Sequence, residues 1–316
     1  MKTVAVIGAG ALAHIFCRET QRLLSDDYRI VAVMAHHEEH ANELAEPLDA
    51  DACTTLDDLL SSFPDIVVEF AGREAVKEYA QRVLEHGSDL VIASIGALAD
   101  DAFRKHLEAA AKDSHRKVYL PNGAIGALDL MQTFALMGNA EVVIGNTKAP
   151  KSLQAAPYLN GETLPSDKKE VILTGSVPDA INGFPKNVNV AVAAALASGT
   201  LYDATVQITS DPDSTENVHR IRLKNNLMRA ELTVAGKPDP AKPEIQYLDS
   251  LECCRIAEKF SLPCTIFLRQ HSIKQYETIR HPPLCSCWCH LCHYFALGNR
   301  TLLQMALRSC LSFRSA

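Results

Sequence analysis

The sequence predicts an α/β protein in which a doubly wound parallel sheet is followed by a smaller α+β domain. Three observations lead to this prediction. A β-branched apolar run, Val4 to Ile7, passes directly into a glycine-rich turn. Short apolar strands then alternate with segments of helical periodicity up to residue 120, which is the pattern of a parallel sheet. From Ala140 onward the extended segments become longer, which indicates a second, mixed sheet.

The glycine-rich turn, Gly8-Ala-Gly-Ala-Leu-Ala13, matches a dinucleotide-binding fingerprint with alanine in the third glycine place. Gly8 permits the tight turn, Gly10 lets a pyrophosphate approach the backbone, and Ala13 allows close packing of helix on strand. The helix after this turn would direct its free N–H groups at the phosphates. The competing interpretation is a strand-to-helix turn without a ligand. We predict a Rossmann-type domain that binds NAD or NADP, with contacts at Gly8, Gly10, Ala11, Leu12 and Ala13.

Apolar runs and helical spacing predict the other elements of the first domain. Strands are expected at residues 28–35, 65–70, 90–94 and 117–120, and helices at 57–62, 74–86 and 101–112. Ligands of such sheets bind beyond the carboxyl ends of the strands. Two turns of small residues fall at that edge, so Ala71 and Ser94 are predicted coenzyme contacts.

The end of the second strand bears on the choice between NAD and NADP. An NAD-selective site places an acidic residue there to bind the ribose 2′-hydroxyl. This strand ends Met34-Ala-His-His37, and acidic residues come only afterwards, at Glu38 and Glu39. The pattern therefore weakens the case for strict NAD selectivity. Two interpretations of His36 and His37 stay open: a position beside a 2′-phosphate, or a solvated loop.

The turn sequence Pro121-Asn-Gly123 marks a change of domain. Beyond it, extended segments are expected at 141–147, 169–174, 201–209, 220–223 and 230–234, with one apolar helix at 189–197. We expect a dinucleotide-binding domain at 1–123 together with about 242–260, a substrate domain at 124–241, and a divergent cysteine-rich tail at 261–316.

Composition narrows the class of protein. The net charge of −7 over 316 residues gives no general attraction for nucleic acid or an anionic membrane. The longest apolar stretch, Val190 to Ala197, is too short to span a bilayer. The chain starts with a strand rather than a signal peptide, so we expect a cytoplasmic protein.

Five motifs occur in order along the chain: Glu74–Tyr79, Ser94–Asp100, Pro121–Asp129, Phe184–Val190 and Asp211–His219. Together with the glycine-rich start, they resemble the L-aspartate dehydrogenase family over residues 1 to about 236. The resemblance implies oxidation of L-aspartate by NAD or NADP to iminoaspartate, which feeds NAD biosynthesis or hydrolyses to oxaloacetate and ammonia. It further implies that Ala124 and Asn189 contact the coenzyme and that His219 is the catalytic residue. We also expect a homodimer.

His219 has the chemistry that this reaction requires. The amine of aspartate must lose a proton before hydride leaves Cα, and water must later attack the imine. Histidine gains and loses a proton near neutral pH. The sequence places His219 at a strand edge, after the turn at Asp211-Pro212, where a side chain can face a cleft. The competing interpretation is a structural histidine that is held by a neighbouring carbonyl.

Several cations near the motifs could bind the carboxylates of the substrate. Alternation along the strand puts Arg220 and Arg222 on the face opposite His219. Lys148, which ends a strand, is therefore the preferred candidate among these cations, and Lys186 is a further candidate. For each of them a solvated surface lysine is the competing interpretation. Asn187 is a second candidate for substrate contact. It lies two residues from Asn189, so a slip in the register of the motif would exchange the two asparagines. Asp129 either orients the amine or a histidine, or is the N-terminal charge of a helix.

Eight of the ten cysteines lie after residue 250, and the densest segment reads Cys285-Ser-Cys-Trp-Cys-His-Leu-Cys292. This spacing differs from two separated C-x-x-C pairs, so we predict no metal site. Two other functions stay open. One is a related two-domain NAD(P)-dependent reductase or dehydrogenase of lysine or homoserine metabolism. The other is a coenzyme-binding sensor without turnover.

Overall fold

The computed structural model describes residues 1–185 and 188–237, which form two sheets with their helices. The first sheet has six strands in the order β3-β2-β1-β4-β5-β6, and every pairing in it is parallel. Chain order reverses between β1 and β4, as it does in dinucleotide-binding sheets. The strands are β1 (Lys2–Ile7), β2 (Tyr28–Met34), β3 (Asp51–Cys53), β4 (Ile66–Glu69), β5 (Asp89–Ile92) and β6 (Val118–Tyr119).

Five helices cover both faces of this sheet: α1 (Ala11–Leu24), α2 (Glu38–Ala45), α3 (Leu56–Ser61), α4 (Arg73–His86) and α5 (Asp101–Asp113). Val4 and Val6 share one core cluster with buried residues of α1 and α2. Ala5 and Ile7 share the other with buried residues of α3, α4 and α5. Alternate residues of β1 are therefore buried on opposite faces, which confirms the doubly wound sheet.

Local sequence explains where these helices begin and end. The four buried residues of α4 are spaced as one helical face: Val76, Ala80, Val83 and Leu84. Gly87 ends α4 in the left-handed conformation, with φ at 103°. Asp100 begins α5, where its carboxylate accepts a hydrogen bond from the Phe103 amide at 3.1 Å.

The sequence-based assignment of the first domain missed one helix and one strand, and its largest error at a strand end was two residues. Neither α2 nor β3 was predicted, because α2 buries only three small or apolar residues and β3 has three residues at the sheet edge. The strand expected to reach Ser94 ends at Ile92, and a 3₁₀ turn, Ile95–Ala99, comes after it. The loop histidines His36 and His37 and the acids Glu38 and Glu39 are all exposed, and both acids lie in the first turn of α2.

The second sheet has five strands in the order β11-β10-β7-β9-β8, and only the β7–β9 pairing is parallel. The strands are β7 (Glu141–Lys148), β8 (Glu170–Ser176), β9 (Thr205–Ser210), β10 (Asn217–Lys224) and β11 (Arg229–Gly236). The helices of this part are α6 (Leu128–Met137), α7 (Pro150–Leu153), α8 (Val177–Gly183) and α9 (Asn189–Ala197). The predicted mixed second sheet is confirmed.

The apolar helix predicted at 189–197 is α9, and all of Ala191 to Ala197 is buried. The other three helices of this part were missed; α6 comes after a turn sequence that is typical of a loop. Two strand boundaries were also wrong. β9 begins at Thr205 because residues 201–203 form a turn, and β10 begins at Asn217. In the described residues we find no helix with the length and apolar character needed to cross a membrane.

Candidate active site

The glycine-rich turn joins β1 to α1 at the carboxyl edge of the first sheet. Gly8 has φ at +106°, and a Cβ there would lie 2.9 Å from the Phe70 carbonyl carbon. Both the backbone angle and the close approach therefore require glycine. Gly10 precedes α1, and among the described residues no side chain caps the helix and its first turn carries no acid. The first-turn amides suit the pyrophosphate of a dinucleotide.

The other predicted residues of this turn divide by burial. Ala11 and Leu12 are partly exposed at the start of α1, as Gly8 and Gly10 are before it. Ala13 is fully buried in the core beside Phe16 and Val6. Ala13 therefore takes the place of the third glycine, where helix and strand pack closely.

Glu69, the last residue of β4, joins the two other turns that were predicted to contact the coenzyme. Its carboxylate accepts hydrogen bonds from the Gly72 amide at 2.7 Å, the Ser94 amide at 3.0 Å and the Ser94 hydroxyl at 2.8 Å. Burial raises the pKa of Glu69 above its ordinary value, whereas these donors favour the ionised form. The Glu69 carboxylate therefore holds both turns, the one that contains Ala71 and the one that contains Ser94. Ala71 is exposed.

Asn189 connects α9 to the first domain. Its side-chain oxygen accepts a hydrogen bond from the Gly96 amide at 3.0 Å, and its nitrogen lies 3.5 Å from the Ala93 carbonyl oxygen. A Cβ at Gly96 would lie 3.1 Å from that Asn189 oxygen, so glycine allows the approach. Asn189 therefore contacts the turn at residues 93–96, which contains Ser94. Ala124 lies in the connection between β6 and α6, where it is buried.

One face of the second sheet changes from apolar to polar along its length. Val142 and Ile144 of β7 are buried, and the next two buried residues of the same face are Asn146 and Lys148. The neighbouring strands change in the same way, because β9 ends at buried Ser210 and β10 begins with buried Asn217 and His219. Strand pairing places His219 opposite Asn146 and Ser210 beside Lys148. The five residues form a polar cluster: Asn146, Lys148, Ser210, Asn217 and His219.

His219 is only 5% exposed, and its Nδ1 lies 2.6 Å from Oδ1 of Asn146. Burial, and then the positive charge of Lys148, lower the pKa of His219 to about 3. The expected position at a strand edge was wrong, since His219 is the third residue of β10 and is covered. Its partner is a side-chain carbonyl, and the imidazole is held neutral in the protein without substrate.

Lys148 is 4% exposed, so the alternative of a solvated surface lysine was wrong. Arg220 and Arg222 are exposed on the opposite face of β10, in agreement with the predicted alternation. Asp129 is exposed in the first turn of α6, which favours its role as an N-terminal charge. Asn187, Lys186 and the cysteine-rich tail lie outside the described residues.

Four residues of these arrangements were missed from the sequence: Glu69, Asn146, Ser210 and Asn217. Each is a polar residue at a buried position of a strand whose other buried residues are mostly apolar. That break in the pattern is a signal that sequence reading can use. Across residues 1–185 and 188–237, no three His, Cys, Asp or Glu side chains are grouped so as to hold a metal ion.

Two family models match the chain. One, described as the C-terminal part of aspartate dehydrogenase, matches residues 129–260. The other, described as the NAD-binding domain of homoserine dehydrogenase, matches residues 8–121.

Individual relatives agree with the match to the C-terminal part of aspartate dehydrogenase. An L-aspartate dehydrogenase of Methanococcus maripaludis strain C6 is 33% identical over 270 residues, which are 84% of this chain and 99% of the relative. Another, of Methanocaldococcus jannaschii, is 31% identical over 268 residues with the same coverage. The crystal structure of an aspartate dehydrogenase from Thermotoga maritima covers 82% of this chain and 96% of its own, with a TM-score of 0.63 and 27% identity. A hyperthermophilic archaeal homoserine dehydrogenase, with a TM-score of 0.53 at 12% identity, is alike in fold alone.

Proposed function

Because the chain belongs to the L-aspartate dehydrogenase family, we propose that it oxidises L-aspartate to iminoaspartate with NAD or NADP. The observation that carries the proposal is the polar cluster, in which a neutral histidine is buried with a lysine on one sheet face. A proton acceptor and a cation are the two groups that oxidation of an anionic amino acid needs. The first domain supplies the dinucleotide turn.

His219 acts as the proton acceptor in this proposal. L-Aspartate arrives with a protonated amine, and one N–H proton passes to Nε2 of His219, leaving a neutral amine. The bound coenzyme supplies the hydride acceptor for the hydrogen on Cα. Loss of the hydride leaves a protonated imine. His219 then releases the amine proton to solvent, and its free Nε2 takes a proton from the water that adds to the imine carbon. Collapse of the adduct gives oxaloacetate and ammonia.

Lys148 supports the same chemistry in two ways. Its ammonium group suits a substrate carboxylate, and burial strengthens that attraction. A carboxylate bound there also offsets the positive charge that lowers the pKa of His219, so substrate binding moves this pKa upward. The histidine thus becomes a better base when aspartate is present. Asn187 stays a second candidate for substrate contact.

The coenzyme is assigned to the carboxyl edge of the first sheet. The turn residues Gly8 to Leu12 would hold the pyrophosphate at the start of α1, with Ala13 packed behind them. Ala71, Ser94, Ala124 and Asn189 would line the rest of the site. The support for Ala71, Ser94 and Asn189 is that Glu69 and Asn189 hold their turns through hydrogen bonds. Ala124 is included from the family resemblance.

Assembly as a homodimer is part of the proposal. The face of the second sheet opposite His219 has a depression of about 340 Å³ lined by Thr147, Thr209 and Arg220 among others. Arg222 and Asp211 also border it, so both charge signs are present. Two copies about a twofold axis can pair such charges reciprocally. Light scattering of the wild type and of Arg222→Glu tests this: a dimer that Arg222→Glu weakens supports it, and a monomeric wild type contradicts it.

A coenzyme reduction assay tests the activity and its alternatives. The purified protein is given L-aspartate, D-aspartate, L-glutamate or L-homoserine with NAD or NADP, and absorbance of the reduced coenzyme is monitored. We expect turnover with L-aspartate to exceed that with each other substrate by at least about a hundredfold in kcat/KM. Turnover of L-homoserine instead would favour the homoserine pathway. Tight coenzyme binding without turnover of any substrate would favour the sensor.

A further inference from the structure

Asn146 is the partner of His219 within the polar cluster, and the proposed function gives it no role. It lies on β7 directly opposite His219 on β10, and its side chain is 2% exposed. Oδ1 lies 2.6 Å from Nδ1 of His219. Nδ2 is also buried, and no group in the described part of the chain pairs with it.

This placement is unfavourable for stability. A buried amide donor that lacks a partner costs roughly 1–3 kcal/mol. Leucine is similar in size and would continue the apolar run of Val142 and Ile144 without that penalty. What leucine lacks is the oxygen that faces the imidazole. The oxygen is therefore the feature of Asn146 that needs an explanation.

An amide oxygen can only accept a hydrogen bond, so the ring nitrogen facing it must carry the proton. Neutral imidazole holds one proton, and a proton on Nδ1 leaves the lone pair on Nε2. We propose that Asn146 is a positioning residue that holds neutral His219 in the Nδ1–H tautomer, with Nε2 free to accept a proton. The catalytic use of that lone pair rests on the proposed function; the tautomer itself does not.

The identity of the acceptor matters as much as its position. When Nε2 takes a proton, the Nδ1–H bond to Asn146 is kept, so the ring does not turn between the two states. An aspartate at this place would hold the same tautomer but add a negative charge that stabilises imidazolium. Lys148, on the same strand as Asn146, has the opposite effect, because its positive charge lowers the pKa of His219. A neutral acceptor thus orients the imidazole ring without raising the pKa of His219.

The tautomer can be read directly by NMR in the protein without coenzyme or substrate. Histidine labelled with ¹⁵N distinguishes a protonated ring nitrogen from one with a lone pair, and loss of the signals in His219→Gln assigns them. At pH 7 we expect the proton on Nδ1 in the wild type. Asn146→Leu should lose this single tautomer, and Ser210→Ala is the matched control, since it removes another buried polar group of the same face.

Kinetic measurements on Asn146 variants provide a second test. Asn146→Leu should lower kcat with aspartate by roughly 10–100-fold, a usual loss when the group orienting a functional imidazole is removed. Asn146→Asp should keep the Nδ1–H tautomer and shift the rising limb of the kcat/KM profile to higher pH by about one unit. That shift would show that position 146 faces His219 in the working enzyme, and the NMR tautomer remains the test of the positioning role.

Two results would overturn the inference. One is a wild-type His219 with its proton on Nε2. The other is an Asn146→Leu protein that keeps the Nδ1–H tautomer as firmly as the wild type. If Asn146→Leu does not fold, the wild-type spectrum still decides the question, because a proton on Nε2 would overturn the inference. A correct tautomer in a protein that leaves aspartate unchanged would refute the proposed function and leave the tautomer assignment standing.

Discussion

Replacing Gly8 by alanine tests the geometry of the dinucleotide turn. A methyl group there would meet the Phe70 carbonyl carbon at 2.9 Å and the Ala71 amide nitrogen at 3.0 Å, both of which are backbone atoms. Alanine must also adopt φ near +106°, which costs about 1–2 kcal/mol. Crowding against fixed backbone adds about 1–3 kcal/mol. We therefore expect Gly8→Ala to lower the free energy of unfolding by roughly 2–5 kcal/mol.

Gly87 at the end of α4 provides a matched control. Its φ is +103°, nearly that of Gly8, but a Cβ there would meet only the Arg116 guanidinium at an ordinary 3.7 Å. Gly87→Ala should therefore show the cost of the backbone angle alone, about 1–2 kcal/mol. Urea unfolding of the wild type and both variants gives the difference, which isolates the contact with Phe70. Equal losses in the two variants would refute the close-approach argument.

The same pair of variants separates fold from function. Displacing Phe70 and Ala71 moves a turn that Glu69 holds beside the proposed coenzyme site. A fluorescence titration with reduced coenzyme should show Kd raised at least tenfold, about 1.4 kcal/mol, in Gly8→Ala. Gly87→Ala should bind as the wild type does. An unchanged Kd in Gly8→Ala would mean that the coenzyme does not use this turn.

Three further predictions concern acid stability, coenzyme choice and the tail. Because the folded-state pKa of His219 is lowered to about 3, while an unfolded histidine titrates near 6.5, stability falls as pH drops below 6.5. Between pH 7 and 5, His219→Gln should lose about 2 kcal/mol less than the wild type in urea unfolding; an equal loss would contradict a neutral, buried imidazole. NAD and NADP should differ in kcat/KM by less than about a hundredfold, whereas an NAD preference above about a thousandfold would mean that Glu38 or Glu39 reaches the ribose. A chain ending at Ser261 should keep cooperative unfolding and aspartate oxidation, since the family match ends at residue 260, and loss of either would assign the tail a structural role.

Sequence patterns predicted the first sheet well because its central strands are buried on both faces. Runs such as Val4–Ile7 and Ile66–Val68 have no polar break, and the fingerprint predicts the turn and the helix after β1. The two elements of the first domain that were missed, β3 and α2, have few apolar residues. β3 has three residues, and α2 offers only Ala41, Leu44 and Ala45 to the core.

The candidate site was predictable only where a motif marked it. His219 and Asn189 came from resemblance, since nothing in local sequence separates them from the other histidines and asparagines. Their partners depend on strand register: Asn146 meets His219 across 73 residues of chain, and Gly96 meets Asn189 across 93. Burial of Lys148 likewise results from packing of the whole face. Pairings of this range come from tertiary structure, which periodicity does not encode.

The kinetics of His219→Ala show whether this histidine is the base in aspartate oxidation. Aspartate-dependent reduction of the coenzyme gives kcat, and a fluorescence titration of the same preparation gives the coenzyme Kd. We expect kcat to fall by roughly 10²–10⁴, the span for lost acid–base catalysis, with Kd unchanged because His219 belongs to the second sheet. A kcat near the wild-type value, or a Kd that rises as kcat falls, would contradict the account and make His219 a structural residue.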